Sequence, residues 1–312
     1  MTTLIFEDES FAAHETPDGH PERAGRYAAA QARLMQGDLA TIERRRPPLA
    51  SREMLARAHP GNFIAEVEAA APSAGMTPLD PDTWLGPSSL TATLKASGGA
   101  CAAVDAVMAG AADNAFLLAR PPGHHAEAER AMGFCIFNSA AVAAFHARAN
   151  HGAERIAVVD FDVHHGNGTE AIFWDDQNAF FASSHEFPQY PGTGRQTDRG
   201  GFGNIANAPL PTGANGDQFR RVWGEQLLPT LDAFDPDIIL ISAGFDAHCA
   251  DPLGGLELVE DDFVWVTDEI MSVAASKCDG RVVSLLEGGY DLNALAESVA
   301  AHVGTLAGIH PQ

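Results

Sequence analysis

Residues 156–168 read IAVVDFDVHHGNG, an apolar run that ends in a cluster of acidic and histidine side chains. The apolar residues of Ile156–Phe161 follow one another without alternation, which predicts a strand buried on both faces. Along such an extended chain Asp160, Asp162 and His164 point to the same side. Burying three ionisable groups together is costly unless they pair or bind a metal. Because carboxylate and imidazole groups suit a divalent ion such as zinc, we expect a metal site here rather than a solvated strand end.

Four further apolar runs have the same character, and they are Ala115–Ala119, Ala179–Ser183, Asp237–Ser242 and Arg281–Leu286. Stretches of helical character lie between the runs, and they are Leu90–Ala109, Ser139–Asn150, Gly216–Phe234, Glu260–Ser276 and Leu292–Ala307. This alternation predicts an α/β fold with a mostly parallel central sheet and helices on both faces.

Three longer segments lack a regular pattern, and they are Glu7–Arg26, Pro72–Ser89 and Glu186–Thr212. Irregular segments of this length in a compact domain are often functional loops. No linker, repeat or low-complexity tract divides the chain, so we expect residues 1–312 to form a single domain. Polar clusters follow most of the apolar runs, and ligands of open parallel sheets bind at the carboxyl ends of the strands. We therefore expect one site assembled from several strand ends.

The apolar run Asp237–Ser242 is followed by a second acidic position. Residues 241–248 read ISAGFDAH, and Asp246 could supply a third metal ligand. An aspartate after a strand also often caps a helix, so this signal is weak alone. Together with Asp162 and His164 it would give three protein ligands and leave a coordination position open, as a catalytic metal site requires.

Two other strand ends carry candidates for catalysis. Residues 120–126 read RPPGHHA, and His124 and His125 suit general acid–base work, although they could instead be metal ligands or surface histidines. Residues 286–290 read LEGGY, and the glycine turn could place Tyr290 in a cleft. The phenol could there donate a hydrogen bond to a developing oxyanion, whereas a packing role is the simpler alternative.

Taken together and in this order, the segments resemble the zinc-dependent histone deacetylase superfamily, which has the arginase–deacetylase fold. The matching motifs are RPPGHHA, DFDVHHGNGT, YPGTG, AGFDAH with DPLGG, and EGGY, and the resemblance runs from Asp18–Glu22 to the last predicted helix. Asn167, in its Gly-Asn-Gly context, looks like the class II deacetylases and related bacterial amidohydrolases. The resemblance implies a single deacetylase-like catalytic domain over residues 1–312.

The resemblance also implies roles for the site residues. The residues that match the zinc ligands are Asp162, His164 and Asp246. The residues that match the catalytic group are His125 as general base and then general acid, His124 as its electrostatic partner, Asp160 behind His124, Asn167 behind His125, and Tyr290 as the group that polarises the carbonyl. In the implied reaction, water attacks an amide carbonyl, and the products are a short acid and a free amine.

The substrate tunnel is implied in the same way. The residues that match its walls are Phe134, Tyr190, Gly133 and Gly289. Leu253 stands where some polyamine-selective relatives carry an acidic residue, so an apolar rim favours acyl-lysine-like substrates. Acidic contacts from other loops, such as those of Asp80, Asp82 or Glu186, leave an acetylpolyamine amidohydrolase open as the alternative.

The resemblance has consequences for metals and for rival functions. The ligand set tolerates Fe²⁺ as well as Zn²⁺, and the family often binds structural K⁺ through the backbone near Asp160 and the region of Ser183. A binuclear manganese ureohydrolase of the arginase type is disfavoured, because Gly166 and His248 stand where the second ion needs carboxylates. A non-hydrolytic acyl-lysine binding module is disfavoured because the catalytic group is complete.

Composition limits the remaining function classes. The chain has 19 basic and 42 acidic residues and a net charge of −23, which argues against binding to nucleic acid or to anionic membrane surfaces. The charge suits a cationic substrate but also simple solubility. The four cysteines form no Cys-x-x-Cys pair, and no signal-peptide pattern opens the chain, so we expect a cytoplasmic protein with reduced thiols. A homo-oligomer remains open.

Overall fold

The computed structural model describes residues 1–309, so the last three residues of the expected 1–312 domain lie outside the described part. Its strands are β1 (Thr3–Phe6), β2 (Glu43–Arg45), β3 (Thr77–Asp80), β4 (Thr83–Leu85), β5 (Asn114–Leu117), β6 (Ile156–Asp160), β7 (Ala179–Glu186), β8 (Ile205–Leu210), β9 (Ile238–Ala243) and β10 (Val282–Leu286). Its helices are α1 (Ala24–Leu34), α2 (Arg52–Leu55), α3 (Gly61–Ala70), α4 (Ser89–Met108), α5 (Ser139–His151), α6 (Asn167–Phe173), α7 (Gly216–Val222), α8 (Leu228–Phe234), α9 (Glu260–Lys277) and α10 (Leu292–Ala307).

Eight strands form one sheet in the order β2-β1-β5-β10-β9-β6-β7-β8, and every pair in it is parallel. The strands β5, β6, β9 and β10 are buried at every position. Because successive side chains point to opposite faces of a sheet, both faces are covered. The α/β fold with a central parallel sheet is therefore confirmed.

Two groups of helices pack around the sheet. One group contains α1, α9 and α10, and the other contains α4 and α5. Within the second group, α4 and α5 are rich in alanine, and these small side chains let the two helices pack closely against each other. No helix within residues 1–309 is both long enough and apolar enough to cross a membrane.

The five predicted strands and the five predicted helical stretches are all present, but two of the three segments expected to be irregular contain strands. The segment Pro72–Ser89 contains the antiparallel pair β3–β4, and the segment Glu186–Thr212 contains the edge strand β8. The stretch Gly216–Phe234 is helical throughout, with a wider π-type turn at Trp223–Leu227 between α7 and α8. Pro229 lies in the first turn of α8 and has no N–H to donate to the preceding turn, which accounts for the widening.

Candidate active site

Four neighbouring strands position the candidate site. In the sheet the order β5-β10-β9-β6 places the carboxyl ends of these strands side by side. The segments RPPGHHA, LEGGY, ISAGFDAH and DFDVHHGNG each follow one of them. The expectation of one site assembled from several strand ends thus agrees with the topology, because parallel strands end at the same edge.

The three expected metal ligands lie together. The Nδ1 atom of His164 lies 3.2 Å from Asp162 Oδ1 and 3.1 Å from Asp246 Oδ2. All three side chains are buried, and their ligand atoms lie within 4.8 Å of one another. One ring nitrogen carries at most one proton, so it cannot satisfy two carboxylates by hydrogen bonding alone. A divalent cation bound by all three side chains fits this set of ligands.

Two glycines leave the space that this carboxylate pair needs. A Cβ atom on Gly244 would lie 2.0 Å from Asp162 Oδ2, and one on Gly288 would lie 2.0 Å from Asp246 Oδ2. The N–H group of Gly288 also donates to Asp162 Oδ2 at 2.8 Å. The loops after β9 and β10 therefore form a cradle that only glycine permits.

A second group of ligand-type side chains, Asp105, His146 and His151, fits a metal less well. Arg57 donates to His146 Nδ1 at 2.5 Å, so His146 Nε2 carries its proton and donates to Asp105 Oδ1 at 2.6 Å. His151 Nε2 lies 2.7 Å from the same oxygen. A metal at His146 Nε2 would need the opposite tautomer and the withdrawal of Arg57, so the group is a satisfied hydrogen-bond network.

A third group, His124, Cys135 and Glu287, lies beside the expected metal site. Burial raises the pKa of Cys135 far above its ordinary value, so its sulfur stays a thiol. The Glu287 carboxylate is engaged by the N–H groups of Gly123 and His124, at 2.6 Å and 3.2 Å. Glu287 thus anchors the histidine loop.

The two adjacent histidines have different partners. His124 Nδ1 donates to Asp160 Oδ2 at 2.9 Å, whereas His125 Nδ1 donates to Asn167 Oδ1 at 2.9 Å. A carboxylate stabilises an imidazolium, and an amide oxygen only orients a neutral ring. Both expected pairings, Asp160 behind His124 and Asn167 behind His125, are present in the structure.

These partners shift the two histidine pKa values in opposite directions. Burial disfavours a charged His124, but the carboxylates of Asp162 and Asp160 outweigh it and raise its pKa to about 10. Burial lowers the pKa of His125 well below its ordinary value, and the positive charges of His124 and His164 lower it further. His125 is thus the neutral imidazole of the pair, and the neutral form is the one in which a histidine can accept a proton.

Tyr290 is buried and lines a cavity together with His125 and His164. Burial raises the pKa of Tyr290 well above its ordinary value, so the phenol keeps its proton. The guanidinium of Arg26 lies over its ring at 4.8 Å from the centroid. A protonated phenol in this position can donate a hydrogen bond to a substrate oxygen.

A cavity of about 220 Å³ joins these groups to the surface, and it is lined by Asp82, His125, Gly133, Phe134, His164, Gln189, Tyr190, Leu253 and Tyr290. The Tyr190 ring meets that of His125 edge-on at 5.2 Å, and Phe134 meets Tyr290 at 5.9 Å. Phe134 has the rare backbone angle φ of 68°, and Thr83 Oγ1 accepts its N–H at 3.0 Å. The Phe134 wall is thus held by its own backbone conformation and by the Thr83 side chain.

Gly133 and Gly289 differ in their placement. A Cβ atom on Gly133 would lie 2.5 Å from the His125 ring, so glycine is required beside this imidazole. The expectation for Gly289 needs correction, because its Cβ direction faces Leu295 and Phe245 in the core and not the cavity. Its φ of +121° is a conformation that glycine adopts readily.

Three residues with a place at the site were not predicted from the sequence. They are Gln189 on the cavity wall, Glu287 beneath His124, and Asp251, which binds the backbone of Tyr290. Glu287 and Asp251 each open a matched motif, EGGY and DPLGG, but neither motif assigns them a role, and nothing in the sequence marks Gln189.

Comparison with known proteins agrees with this geometry. The histone deacetylase domain family matches residues 20–306. The chain is 38% identical to histone deacetylase 14, chloroplastic, of Arabidopsis thaliana, over 98% of this chain and 77% of that protein. It is 35% identical to the human polyamine deacetylase HDAC10, over 98% of this chain and 48% of that protein.

A solved structure extends the match to three dimensions. The crystal structure of the HDA15 HD domain superposes with a TM-score of 0.93 at 32% sequence identity, and the match covers 100% of this chain and 90% of that one. Because the family match spans most of the chain and agrees with the fold, this protein is an enzyme of the histone deacetylase family.

Proposed function

We propose that the chain is a zinc-dependent amidohydrolase that removes acetyl or other short acyl groups from amines such as acetyl-lysine. The observation that carries the proposal is that His164, which belongs to the Asp162–His164–Asp246 group, lines one cavity together with His125 and Tyr290. A metal site with three protein ligands, a neutral imidazole and a protonated phenol are the parts that amide hydrolysis needs.

Asp162, His164 and Asp246 would hold the ion. When bound, zinc supplies a Lewis acid that polarises the substrate carbonyl and acidifies a water molecule. His125 accepts a proton from the attacking water at Nε2, because its Nδ1 proton is committed to Asn167. His125 then returns this proton to the leaving amine, while Tyr290 donates its hydroxyl hydrogen bond to the oxyanion.

His124 acts through charge rather than through its own proton transfer. Its Nδ1–H group donates to Asp160, and this carboxylate raises the pKa of His124 and favours the imidazolium form. The fixed positive charge keeps His125 deprotonated and available as a base. It also favours negative charge that develops nearby on the substrate.

The cavity rim favours an acyl-lysine-like substrate. Leu253 contributes an apolar contact at the mouth, and Phe134 and Tyr190 form walls that suit a methylene chain. A second candidate, an acetylpolyamine amidohydrolase, is favoured by Asp82, because its carboxylate lines the same cavity and could bind a distal ammonium group. The net charge of −23 suits either cationic substrate.

Side-by-side kinetics test the proposal and separate the two candidates. The metal-loaded protein is assayed for acetate release from an acetyl-lysine peptide, from N-acetylputrescine and from N8-acetylspermidine. A kcat/KM preference of about 10-fold or more for the peptide, about 1.4 kcal/mol in the transition state, supports lysine deacylation. The reverse preference assigns the polyamine activity, and no acetate release from any of the three contradicts the proposal.

Metal identity and a structural cation are part of the same proposal. The Asp-His-Asp set accepts Fe²⁺ as well as Zn²⁺, and metal analysis of protein purified without added metal decides between them. For K⁺, the supporting observation is that Asp160 and Ser183 are register partners on β6 and β7, which brings the two expected cation-binding segments together. Thermal unfolding in K⁺ against a bulky organic cation tests this site.

A further inference from the structure

Asp251 joins two loops of the active site. It lies on the loop after β9, and its side chain is buried. Its Oδ2 atom accepts the N–H of Tyr290 at 2.6 Å and that of Asp291 at 3.2 Å, and its Oδ1 atom accepts the N–H of Leu253 at 2.9 Å. One carboxylate therefore fixes a rim residue and the tyrosine relative to each other.

The peptide group before Tyr290 is held at both of its polar atoms. Asp251 accepts its N–H, and Arg26 Nε donates to its carbonyl oxygen, on Gly289, at 2.5 Å. Gly289 has a φ of +121°, and a glycine by itself would let this peptide plane rotate. Because the plane determines where the Tyr290 side chain leaves the backbone, the two contacts set the direction of the phenol.

Asp251 is not needed to cap the helix that follows. The N-cap of α10 is Asp291, which accepts the N–H groups of Asn293 and Ala294 at 3.0 Å and 2.9 Å. The strongest contact of Asp251 is with Tyr290, before the helix begins. Its carboxylate thus acts on the catalytic turn itself.

We propose that Asp251 is a positioning residue that orients the Tyr290 hydroxyl toward the substrate carbonyl. The proposal rests on the proposed function of Tyr290. A misplacement of about 1 Å in such a group can cost on the order of 100-fold in rate. Loss of Asp251 therefore reduces turnover through Tyr290 and not through loss of the metal ligands.

The first test observes Tyr290 directly and needs no activity. The chain has three tyrosines, so 3-fluorotyrosine labelling gives three ¹⁹F resonances, and Tyr290→Phe identifies the one of interest. Asp251→Ala is expected to shift or broaden this resonance while that of Tyr27, on α1, stays in place. An unchanged Tyr290 resonance overturns the proposal, and so does a resonance pattern in which Tyr27 moves equally.

The second test is a double-mutant cycle for kcat/KM. Asp251→Ala is expected to reduce kcat/KM about 30-fold in the wild-type background but less than about 3-fold in Tyr290→Phe, because residues that act through one group are not additive. Asp251→Asn, which keeps one acceptor oxygen, is expected to restore part of the loss. Equal losses in both backgrounds overturn the proposal.

A matched control removes a carboxylate of similar type elsewhere. Asp237 Oδ2 accepts the N–H groups of Glu154 and Arg155 at 2.8 Å and 2.7 Å, at the opposite edge of the sheet. Asp237→Ala is expected to leave the Tyr290 resonance unshifted and kcat/KM within about 2-fold of wild type.

If the wild-type protein hydrolyses no acylated amine, the proposed function fails, and the ¹⁹F result alone decides the placement of Tyr290.

Discussion

His125 Nδ1 donates a hydrogen bond of 2.9 Å to the side-chain amide oxygen of Asn167. The orientation of this amide is fixed, because Asn167 Nδ2 donates to Glu127 Oε1 at 2.9 Å. The contact leaves the Nε2 lone pair of His125 directed at the cavity and adds no negative charge that would stabilise an imidazolium. Asn167 thus keeps the proposed general base in its reactive form.

Replacement of Asn167 by Asp is expected to shift the pH profile. A carboxylate beside Nδ1 favours protonated His125, so the acid limb of kcat/KM should move up by about one pH unit or more. Activity at pH 6 should fall more than activity at pH 8. Asn178→Asp, which adds the same charge at an exposed position, is the control. An acid limb that does not move would contradict the role of His125 as base.

Tyr290→Phe is expected to keep the bound metal and lose most turnover. The phenol is the hydrogen-bond donor at the base of the cavity, and loss of one oxyanion donor costs about 100- to 1000-fold in kcat. Metal content and kcat are measured on the same preparation. Undiminished kcat in this variant would remove Tyr290 from the proposed oxyanion role.

Asp246→Ala is expected to lose tightly bound metal. Asp246 is one of three convergent ligands, and two remaining ligands hold a divalent ion much more weakly. Dialysis against a weak chelator followed by metal analysis gives the occupancy. His151→Ala removes a ligand-type side chain from the Asp105 network and should leave the occupancy unchanged. Full occupancy in Asp246→Ala would exclude Asp246 as a ligand.

The buried histidine on α10 predicts a loss of stability in acid. Burial lowers the pKa of His302 to about 3 from an ordinary value of 6.5. As the pH falls below 6.5 the unfolded chain binds a proton here that the folded chain does not, so folding loses about 1.4 kcal/mol per pH unit, or about 2 kcal/mol by pH 5. Above pH 6.5 this residue has no effect on the pH dependence.

Urea unfolding at pH 7 and pH 5 measures this contribution. Between pH 7 and pH 5 the free energy of unfolding of His302→Gln should fall by about 2 kcal/mol less than that of wild type. At pH 7 itself the variant is less stable than wild type. The variant removes the contacts of His302 with Thr267 Oγ1 and Ser284 Oγ, both at 2.7 Å. The same pH dependence in both proteins would contradict the neutral buried state of His302.

The strands around the site could be predicted because burial on both faces leaves an uninterrupted apolar run, as in Ile156–Asp160. The edge strand Ile205–Leu210 could not, because it contains Asn207 and Pro209. Asn207 is buried but donates to Glu170 Oε2 at 2.6 Å, and a proline is tolerated at a sheet edge. The edge position of the strand and the contact of the Asn207 amide N–H with Glu170 override propensity there, and neither is visible in the sequence.

Some residues of the site could likewise be predicted from the sequence, and others could not. Asp162, His164 and Asp246 could be predicted as neighbours because each follows a strand of one parallel sheet. The wrong placement of Gly289 arose because a sequence does not show to which side a turn presents its residues. Asp251 lies in the matched DPLGG motif, but its contact with Tyr290 could not be predicted, because a carboxylate that accepts a backbone N–H group 39 residues away has no characteristic spacing.

We propose that deacetylation requires one metal ion, held by Asp162, His164 and Asp246. The most direct test is acetate release from an acetyl-lysine peptide by metal-stripped protein titrated with Zn²⁺. We predict no release without metal, full activity at about one equivalent per chain, and no recovery for Asp246→Ala. Activity that persists without metal, or that requires a second equivalent, would contradict the requirement for a single bound ion.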